Sequence, residues 1–347
     1  MSFWNHAATA AGLYSSSDLP ATFVSGQCQP VARSLAILLF AASSVVAASD
    51  FPQRPVRVIV PVAPGGANDI LARTLAPRLG EIWGQQVIVE NRAGGGGTIG
   101  AGAVARAKPD GHTLTVASIS HIVLAPTVLA EKPYDPQRDF SPVSQLVNQP
   151  IVLVAHPSFP ARTVKELIAL AKNRPGELVY GSTGIGSAMH LAGELLQQRT
   201  GTSLVHVPYK GGGPAVVELS GGHVPLLFVG LAPALPHVQS GRIRALAMAG
   251  AMRSPVLPQT PTIGETLPGY QVNFWVGVLA PAATPEPVVD RINGDIAGIL
   301  AVPVVRNQLH QAGFDVVGGR AGQFAKTLAD DVRRWVPVIR VAGIKPE

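Results

Sequence analysis

The stretch that decides the fold reads Val56-Arg-Val-Ile-Val-Pro-Val-Ala-Pro-Gly-Gly-Ala-Asn-Asp69. Its β-branched first half is typical of a buried strand, and the Pro-Gly-Gly turn that follows ends the strand. Asn68 or Asp69 then caps a helix that carries apolar residues at helical spacing on one face. A buried strand, a glycine loop and an amphipathic helix in this order form the repeating unit of an α/β protein.

The same unit recurs along the chain. Val87-Ile-Val-Glu90 and Leu114-Thr-Val-Ala117 predict two more strands, with a glycine loop at 94–97 and a small-residue helix between them. A second series starts at Ile151-Val-Leu-Val-Ala155 and continues through strands beginning near residues 178, 204, 224 and 243. We therefore expect two α/β units with parallel, helix-flanked sheets, and a chain that crosses between them near 150 and near 270.

Helix ends are marked most clearly after the first predicted crossover, near residue 150. Thr163-x-x-Glu166 predicts a capping box at the start of a helix that runs to Lys172. A further helix is expected from Ser187 to about Arg199, and the last from about Gln323 to Val341. On that last helix we expect the Asp330-Asp331 pair to face solvent.

Composition excludes several classes of protein. The chain has 347 residues, of which 47% are hydrophobic and 14% charged, so it buries enough apolar surface to fold. Its longest uncharged apolar run, 34–49, is shorter than the roughly 20 residues of a membrane-spanning helix. The net charge is +6, with basic residues scattered along the chain. This distribution argues against nucleic acid and suits small anionic ligands.

The N-terminus predicts export. Arg33 precedes an apolar stretch that ends in small residues, and Val46 and Ala48 fit the −3 and −1 positions of a signal-peptidase site. We predict cleavage near Ala48, with residues 1–48 forming a signal peptide and an over-long N-terminal extension. The single cysteine, Cys28, lies before this cut, so the exported chain contains no thiol.

Motifs of catalysis are weak or missing. Gly95-x-Gly97-x-x-Gly100 has the letters of a dinucleotide fingerprint, but the next predicted strand ends in Ser118-Ile-Ser120 without the required acid. The sequence contains no Walker loop, no Gly-x-Ser-x-Gly elbow and no histidine pair at metal-ligand spacing. We therefore expect no cofactor, no metal and no enzymatic activity, with an NAD-dependent enzyme as a weaker alternative.

Three glycine-rich loops between a strand and a helix point to anion binding. They cover residues 63–69, 181–187 and 209–213. Glycine lets the backbone approach a ligand closely, and the N–H groups at a helix N-terminus hold an anion without a charged side chain. Because ligands bind at the carboxyl ends of strands in open α/β sheets, we expect a carboxylate or a similar anion between the two units.

Seven motifs in this order resemble those of one family. They are Val60-Pro-Val-Ala-Pro-Gly-Gly-x-x-Asp69, Val89-Glu-Asn-Arg-x-Gly94, Lys108-Pro-Asp-Gly-His112, Tyr180-Gly-Ser-x-Gly-x-Gly-Ser187, His206-Val-Pro-Tyr-Lys-Gly211, Leu235-Pro-His-Val-x-Ser-Gly241 and Arg253-Ser-Pro…Leu257-Pro-x-Thr-Pro-Thr262. The family is the Bug (Bordetella uptake gene) family, the periplasmic solute receptors of tripartite tricarboxylate transporters. The resemblance covers about 300 residues.

The resemblance implies a two-domain periplasmic-binding-protein fold, type II-like, that closes on its ligand by a hinge. Domain 1 is then 49–150 plus 270–347, domain 2 is 151–269, and the ligand cleft lies between them at two crossovers. Implied partners are a small organic anion and the membrane permease subunits, and the receptor is expected to be a monomer. The implied ligand-binding residues are Ala63, Gly65, Gly66, Asn68, Asp69, Ser182, Thr183, Ser187, Tyr209 and Lys210.

Two departures from the family pattern bear on the ligand. Asn68 stands where a serine or threonine is common, and Val229-Gly230 follows Phe228 where many members carry an acid. Without that acid the site lacks a partner for a ligand amine, so a plain or aromatic carboxylate is favoured over an amino acid. The alternative function is a periplasmic sensor subunit that presents its ligand to a membrane signalling protein.

Overall fold

The computed structural model describes residues 51–272 and 274–342. The predicted export segment, its cleavage site and Cys28 lie outside these residues. The described part belongs to one compact unit, residues 48–347. Within it, no helix is both long and apolar enough to cross a bilayer.

The first sheet has six strands. They are β1 (Val56–Val60), β2 (Val87–Asn91), β3 (Thr113–Ser118), β4 (Phe140–Asn148), β10 (Trp275–Pro281) and β11 (Asp315–Val316), and their order across the sheet is β11-β4-β10-β3-β1-β2.

The second sheet has five strands. They are β5 (Ile151–Ala155), β6 (Val179–Ser182), β7 (Val205–Pro208), β8 (Leu226–Gly230) and β9 (Arg244–Met248), in the order β7-β6-β8-β5-β9.

Helices connect and cover the strands. The α-helices are α1 (Ala67–Trp83), α2 (Thr98–Ala105), α3 (Ala125–Val128), α4 (Val164–Asn173), α5 (Ala188–Thr200), α6 (Gly212–Ser220), α7 (Leu231–Gln239), α8 (Glu286–Ala301), α9 (Pro303–Gln311) and α10 (Ala321–Ala342). A 3₁₀ turn at Gly95–Gly97 precedes α2, and a π-helical turn at Ser120–Leu124 precedes α3.

The sheets are mixed, so the prediction of parallel sheets is wrong for three strands: β5, β10 and the short edge strand β11, which is antiparallel to β4. β1 pairs in parallel with β2 and β3, and β6 pairs in parallel with β7 and β8. In contrast, β10 is antiparallel to β3 and β4, and β5 is antiparallel to β8 and β9. Parallel neighbours need a long, usually helical connection between them. The chain instead enters β5 and β10 directly after passing from one sheet to the other.

The chain passes between the sheets twice. It leaves the first sheet at Asn148 and enters the second at Ile151, then leaves at Met248 and returns at Trp275. These connections lie near the predicted crossovers at 150 and 270. The exact domain boundaries, 49–150 plus 270–347 and 151–269, stay a prediction.

The core explains why these segments form strands and helices. All residues of β5, β8 and β10 are buried, as expected for strands covered by helices on both faces. Helix α1 turns three leucines into the core, each at most 3% exposed. Burying one such side chain contributes about 1.5–3 kcal/mol to folding. The packing of these leucines against the core therefore holds the N-terminal end of α1 in position, and the loop that leads into the helix is held with it.

Two predicted helix starts differ in detail. The N-cap of α1 is Gly66, so Asn68 and Asp69 belong to the first turn and neither is the cap. In the predicted capping box, Thr163 accepts a hydrogen bond from Glu166 N, but the Glu166 carboxylate accepts from Arg162 N. In both helices, a carboxylate of the first turn accepts a hydrogen bond from the residue before the N-cap: Asp69 from Gly65 N, and Glu166 from Arg162 N.

The expectation that Asp331 faces solvent is wrong. Trp275 Nε1 donates a hydrogen bond to Asp331 Oδ2 at 2.7 Å, across the contact between β10 and α10. Burial raises the pKa of Asp331, although the bond from Trp275 opposes this shift. Asp331 therefore ties the last helix to the first sheet.

Candidate functional site

The three predicted anion loops lie together. They follow β1, β6 and β7, and main-chain hydrogen bonds connect them. Ala63 N donates to Lys210 O at 3.0 Å, and Tyr209 N donates to Ser182 O at 3.0 Å. The loop after the first strand of one sheet is thus bonded directly to a loop of the other sheet.

The first loop, residues 63–69, is held by a buried carboxylate. Asp69 is 4% exposed and accepts hydrogen bonds from Gly65 N, Arg73 Nε and Asn91 Nδ2 at 2.9–3.0 Å. Gly65 has φ of +80°, a conformation that favours glycine. Burial raises the pKa of Asp69, but the bonds from Arg73, Gly65 and Asn91 outweigh it and lower the pKa below its usual range.

The second loop, residues 181–187, is held by neutral groups. Ser182 Oγ accepts a hydrogen bond from Gly184 N at 3.1 Å and lies 2.7 Å from His206 Nε2. Ser187 is the N-cap of α5, and its Oγ accepts from His190 N at 3.1 Å. Both serines are at most 3% exposed.

A stacked imidazole pair supports this loop. The rings of His190 and His206 are parallel to within 6°, with their centroids 3.8 Å apart. His190 Nε2 lies 3.6 Å from Glu194 Oε1, to which Tyr180 also donates a hydrogen bond at 2.8 Å. Burial, with a smaller contribution from His190, lowers the pKa of His206 to about 3. His206 is therefore neutral at physiological pH.

A small cavity, here called the inner cavity, lies where these loops meet. Its volume is about 20 Å³. It is lined by Val62, Gly66, Ala67, Asn68, Ser120, His121, Gln149, Thr183, Met189, Gly211, Gly212, Gly230, Pro233 and Phe274. None of these side chains is that of an aspartate, glutamate, lysine or arginine. The inner cavity is therefore polar but uncharged.

Two helices begin at the inner cavity. The first hydrogen bond of α1 runs from Ile70 N to Gly66 O, and that of α6 from Ala215 N to Gly211 O. The N–H groups of Ala67, Asn68 and Gly212 precede these bonds and have no intrahelical acceptor. Neither helix has a side-chain cap. The positive ends of two helix dipoles thus meet at one uncharged cavity, an arrangement that favours an anion.

His121 lines the inner cavity as a neutral donor. It is 6% exposed, and burial lowers its pKa to about 3. Ser118 N donates to His121 Nδ1 at 3.2 Å, so the neutral ring carries its proton on Nε2. Sequence reasoning missed this residue. The only signal in the sequence was its position three residues after the end of β3.

Gln149 also lines the inner cavity and was missed. It is 3% exposed, and within the described residues neither its Nε2 nor its Oε1 has a hydrogen-bond partner. The side chain packs against Gly230, where a Cβ atom would overlap the amide group. A glutamine before a proline, in a short connection between strands, shows no motif in the sequence.

A larger space, here called the outer cavity, adjoins the inner one through Val62 and Thr183. Its volume is about 310 Å³. Its lining is mostly backbone and apolar side chains, with Lys210 exposed. The lining residues are Pro61, Val62, Gly94, Gly95, Gly96, Gly97, Ala125, Val128, Leu129, Thr183, Gly184, Ile185, Pro208, Tyr209 and Lys210.

The ten predicted site residues separate into two groups. Gly66, Asn68 and Thr183 line the inner cavity, and Thr183, Tyr209 and Lys210 line the outer one. Asn68 Nδ2 in addition donates to Val116 O on β3 at 3.0 Å. The remaining residues, Ala63, Gly65, Asp69, Ser182 and Ser187, hold the loops through hydrogen bonds. Whether each contacts a ligand stays a prediction.

Comparison with known proteins gives a consistent result. Residues 71–344 match the model of the tripartite tricarboxylate transporter family receptor. Protein BugT of Bordetella pertussis is 38% identical over 302 residues, which cover 86% of this chain and 93% of BugT.

Two solved structures are similar over nearly their whole length. An R. palustris protein solved with adipate is 36% identical, with a TM-score of 0.83, and the match covers 86% of this chain and 100% of that one. MatC from Rhodopseudomonas palustris with bound malate is 33% identical, with a TM-score of 0.80, covering 83% and 100%. These similarities confirm the expected two-domain periplasmic-binding-protein fold. The chain belongs to the tripartite tricarboxylate transporter receptor family, as its resemblance to the Bug proteins predicted.

Proposed function

We propose that this protein is a periplasmic receptor that captures a small organic carboxylate and delivers it to the membrane permease of a tripartite tricarboxylate transporter. The observation that carries the proposal is the inner cavity, where the N-termini of α1 and α6 meet and no charged side chain lies in the lining. The carboxylate is bound by main-chain N–H groups and by the neutral donors His121 and Gln149.

The lining also restricts the class of ligand. Neither cavity is lined by an aspartate or glutamate that could neutralise a ligand amine. A buried ammonium without such a partner is unfavourable, so amino acids bind poorly. The apolar outer cavity has room for an aliphatic or aromatic body. Similar proteins solved with adipate and malate support a carboxylate.

Binding proceeds by hinge closure at the two connections between the sheets. The inner cavity of about 20 Å³ has room for roughly one water molecule, so a carboxylate enters only when the loops separate. Glycine makes the closed contact possible, because a Cβ atom at Gly213 would overlap Pro64 O across the cleft.

The proposal also covers the partner of the receptor and its location in the cell. The family supports delivery to a permease in place of catalysis. We propose that the protein is exported to the periplasm through the predicted signal peptide, with cleavage near Ala48, and that the mature receptor is a monomer. N-terminal sequencing of the protein from a periplasmic extract tests this, and an uncleaved chain in the cytoplasm would contradict it.

A thermal-shift screen of the purified protein against organic acids tests the binding function. A ligand at about a hundredfold excess over its Kd stabilises the folded state by roughly 2.7 kcal/mol, which raises the Tm by a few degrees. We expect carboxylates to give this shift and Asn68→Ala to reduce it. The exposed Asn307 provides the matched control, Asn307→Ala. A shift with nucleotides and none with any acid overturns the proposal.

A further inference from the structure

Gln149 is the residue of the inner cavity whose hydrogen-bonding capacity is unused. Within the part of the chain that the structure describes, both its amide nitrogen and its carbonyl oxygen are buried without a partner. A buried polar group in this condition is unfavourable, and native proteins rarely retain one without a reason. Its position on the cavity wall indicates that the partner is a ligand group.

The backbone around Gln149 fixes its position. Gln149 N donates to Phe274 O at 2.7 Å, which ties the two connections between the sheets to each other. Leu231 N donates to Pro150 O at 2.8 Å, so the N-terminus of α7 holds the next residue. The Gln149 amide then lies on Gly230, the N-cap of α7. The side chain thus lies at the junction between the two sheets, where we place the hinge.

The amide requires a particular ligand chemistry. A glutamine side chain donates through nitrogen and accepts through oxygen. A carboxylate only accepts, so it satisfies Nε2 and leaves Oε1 unpaired. An ammonium group would donate to Oε1, but the inner cavity has no acidic side chain to neutralise it. His121 is itself a donor at Nε2 and provides no proton acceptor there. A ligand hydroxyl is the neutral donor that meets these conditions.

We propose that Gln149 recognises a hydroxyl group next to the carboxylate of the ligand, so that the receptor selects hydroxycarboxylates over the same acids without the hydroxyl. The inference rests on the proposed function and specifies its substrate class. Gln149 Oε1 accepts from the hydroxyl, Gln149 Nε2 donates to the hydroxyl or carboxylate oxygen, and the helix N-termini hold the carboxylate.

Calorimetric titration of matched acid pairs tests the proposal. Malate and succinate differ by one hydroxyl, as do mandelate and phenylacetate, which adds an aromatic body. We expect the wild-type protein to bind the hydroxylated member of at least one pair about tenfold or more tightly, a difference of about 1.4 kcal/mol. Equal affinities within both pairs overturn the role of Gln149 without any variant.

Gln149→Met keeps the length of the side chain and removes both polar atoms. We expect this variant to bind both members of the pair about equally. The affinity for the hydroxylated acid should fall the most, because that acid loses its contacts with both amide atoms, whereas the acid without hydroxyl loses only the bond from Nε2. Its Tm without ligand should equal or exceed that of wild type, since an unpaired buried amide is lost. The control is Gln308→Met, because Gln308 is exposed on α9.

The outcomes separate the two proposals. A wild-type protein that binds none of the four acids, nor any other carboxylate, overturns the proposed function itself. A hydroxyl preference that survives unchanged in Gln149→Met overturns only the inference and indicates that a bound water satisfies the amide. A preference lost in Gln149→Met but kept in Gln308→Met supports it.

Discussion

The two loops on either side of the inner cavity have the same local design but are stabilised differently. Residues 63–69 and 181–187 each follow a strand, are rich in glycine and lead into a helix. The first is held by the buried charge of Asp69, which binds Gly65 N and Arg73. The second is held by hydroxyl and imidazole groups, through Ser182 and His206.

Ligand recognition does not depend on how each loop is stabilised. In both loops buried polar side chains, those of Asp69, Ser182 and Ser187, hydrogen-bond to the protein and hold the backbone in place. This leaves main-chain N–H groups at the cavity as anion donors. Asn68 and Thr183 in addition line the inner cavity. The side chains that line the cavity as donors, His121 and Gln149, come from segments outside either loop. The residues of the two loop motifs thus shape the backbone of the site. We expect His121 and Gln149, which belong to no motif, to select the ligand.

The largest expected difference between the two loops is in how acid affects their stability. His121 and His206 have pKa values lowered to about 3, against about 6.5 in the unfolded chain. The unfolded state therefore binds more protons between these values, and the free energy of unfolding falls as the pH decreases from about 6.5 toward 3. Protonation of the buried His121, which lies outside both loops, lowers the stability of the whole fold by about 1.4 kcal/mol per pH unit. His206 contributes less, but its Nε2 contacts Ser182 Oγ, so its protonation acts on the second loop.

The first loop should resist this acid range. The pKa of Asp69 is lowered, so its contribution is present above the unfolded value of about 3.9 and is lost only as the pH falls further. Hydrogen exchange at pH 7 and pH 5 measures both loops. We expect the amide of Gly184 to lose protection before that of Gly65. Equal loss of protection in both loops contradicts the comparison.

The next largest expected effect is on ligand affinity, when the contact between Gly213 and Pro64 O is blocked. Gly213→Ala introduces a methyl group that overlaps Pro64 O only when the loops meet. Overpacking of this kind costs about 1–3 kcal/mol, so ligand affinity should fall by about 5- to 150-fold in a calorimetric titration. Gly294→Ala on α8 is the matched control, because no other atom lies within 4 Å of the added group. Unchanged affinity in Gly213→Ala argues against closure by this contact.

The smallest expected difference between the two loops is in how salt changes the effect of a substitution on the free energy of unfolding. Asp69→Asn and Ser182→Ala each remove a hydrogen bond to the loop and should lower the free energy of unfolding by about 1–2 kcal/mol. The cost of Asp69→Asn should shrink in 0.5 M salt, since its partner Arg73 is 54% exposed and screened. The cost of Ser182→Ala should not change. Denaturant unfolding at two salt concentrations measures this, and equal salt dependence contradicts the assignment.

Much of the fold was predictable because its signals are local. Short β-branched runs, glycine turns and capping residues define β1, β6 and α5 within a few residues of each element. The antiparallel direction of β5 and β10 was not predictable in this way, because it depends on how the chain passes between sheets. The half-buried position of Asp331 likewise depends on Trp275, which lies 56 residues away in sequence.

The candidate site was predictable in its backbone and unpredictable in its side chains. The glycine loops at 63–69 and 209–213 were expected to act together, and the bond from Ala63 N to Lys210 O joins them. Gln149 gave no such signal. Its importance arises from Phe274 and Gly230, which are distant in sequence and meet it only in the folded chain.

A crystal structure with the tightest-binding carboxylate shows directly whether the helix N-termini hold the ligand. We predict carboxylate oxygens about 2.7–3.1 Å from the N–H groups at the first turns of α1 and α6, such as Asn68 N and Gly212 N. The amide of Gln149 should contact the same ligand. A carboxylate held instead by the Lys210 side chain in the outer cavity, with the inner cavity still closed at about 20 Å³, would contradict binding at the helix N-termini.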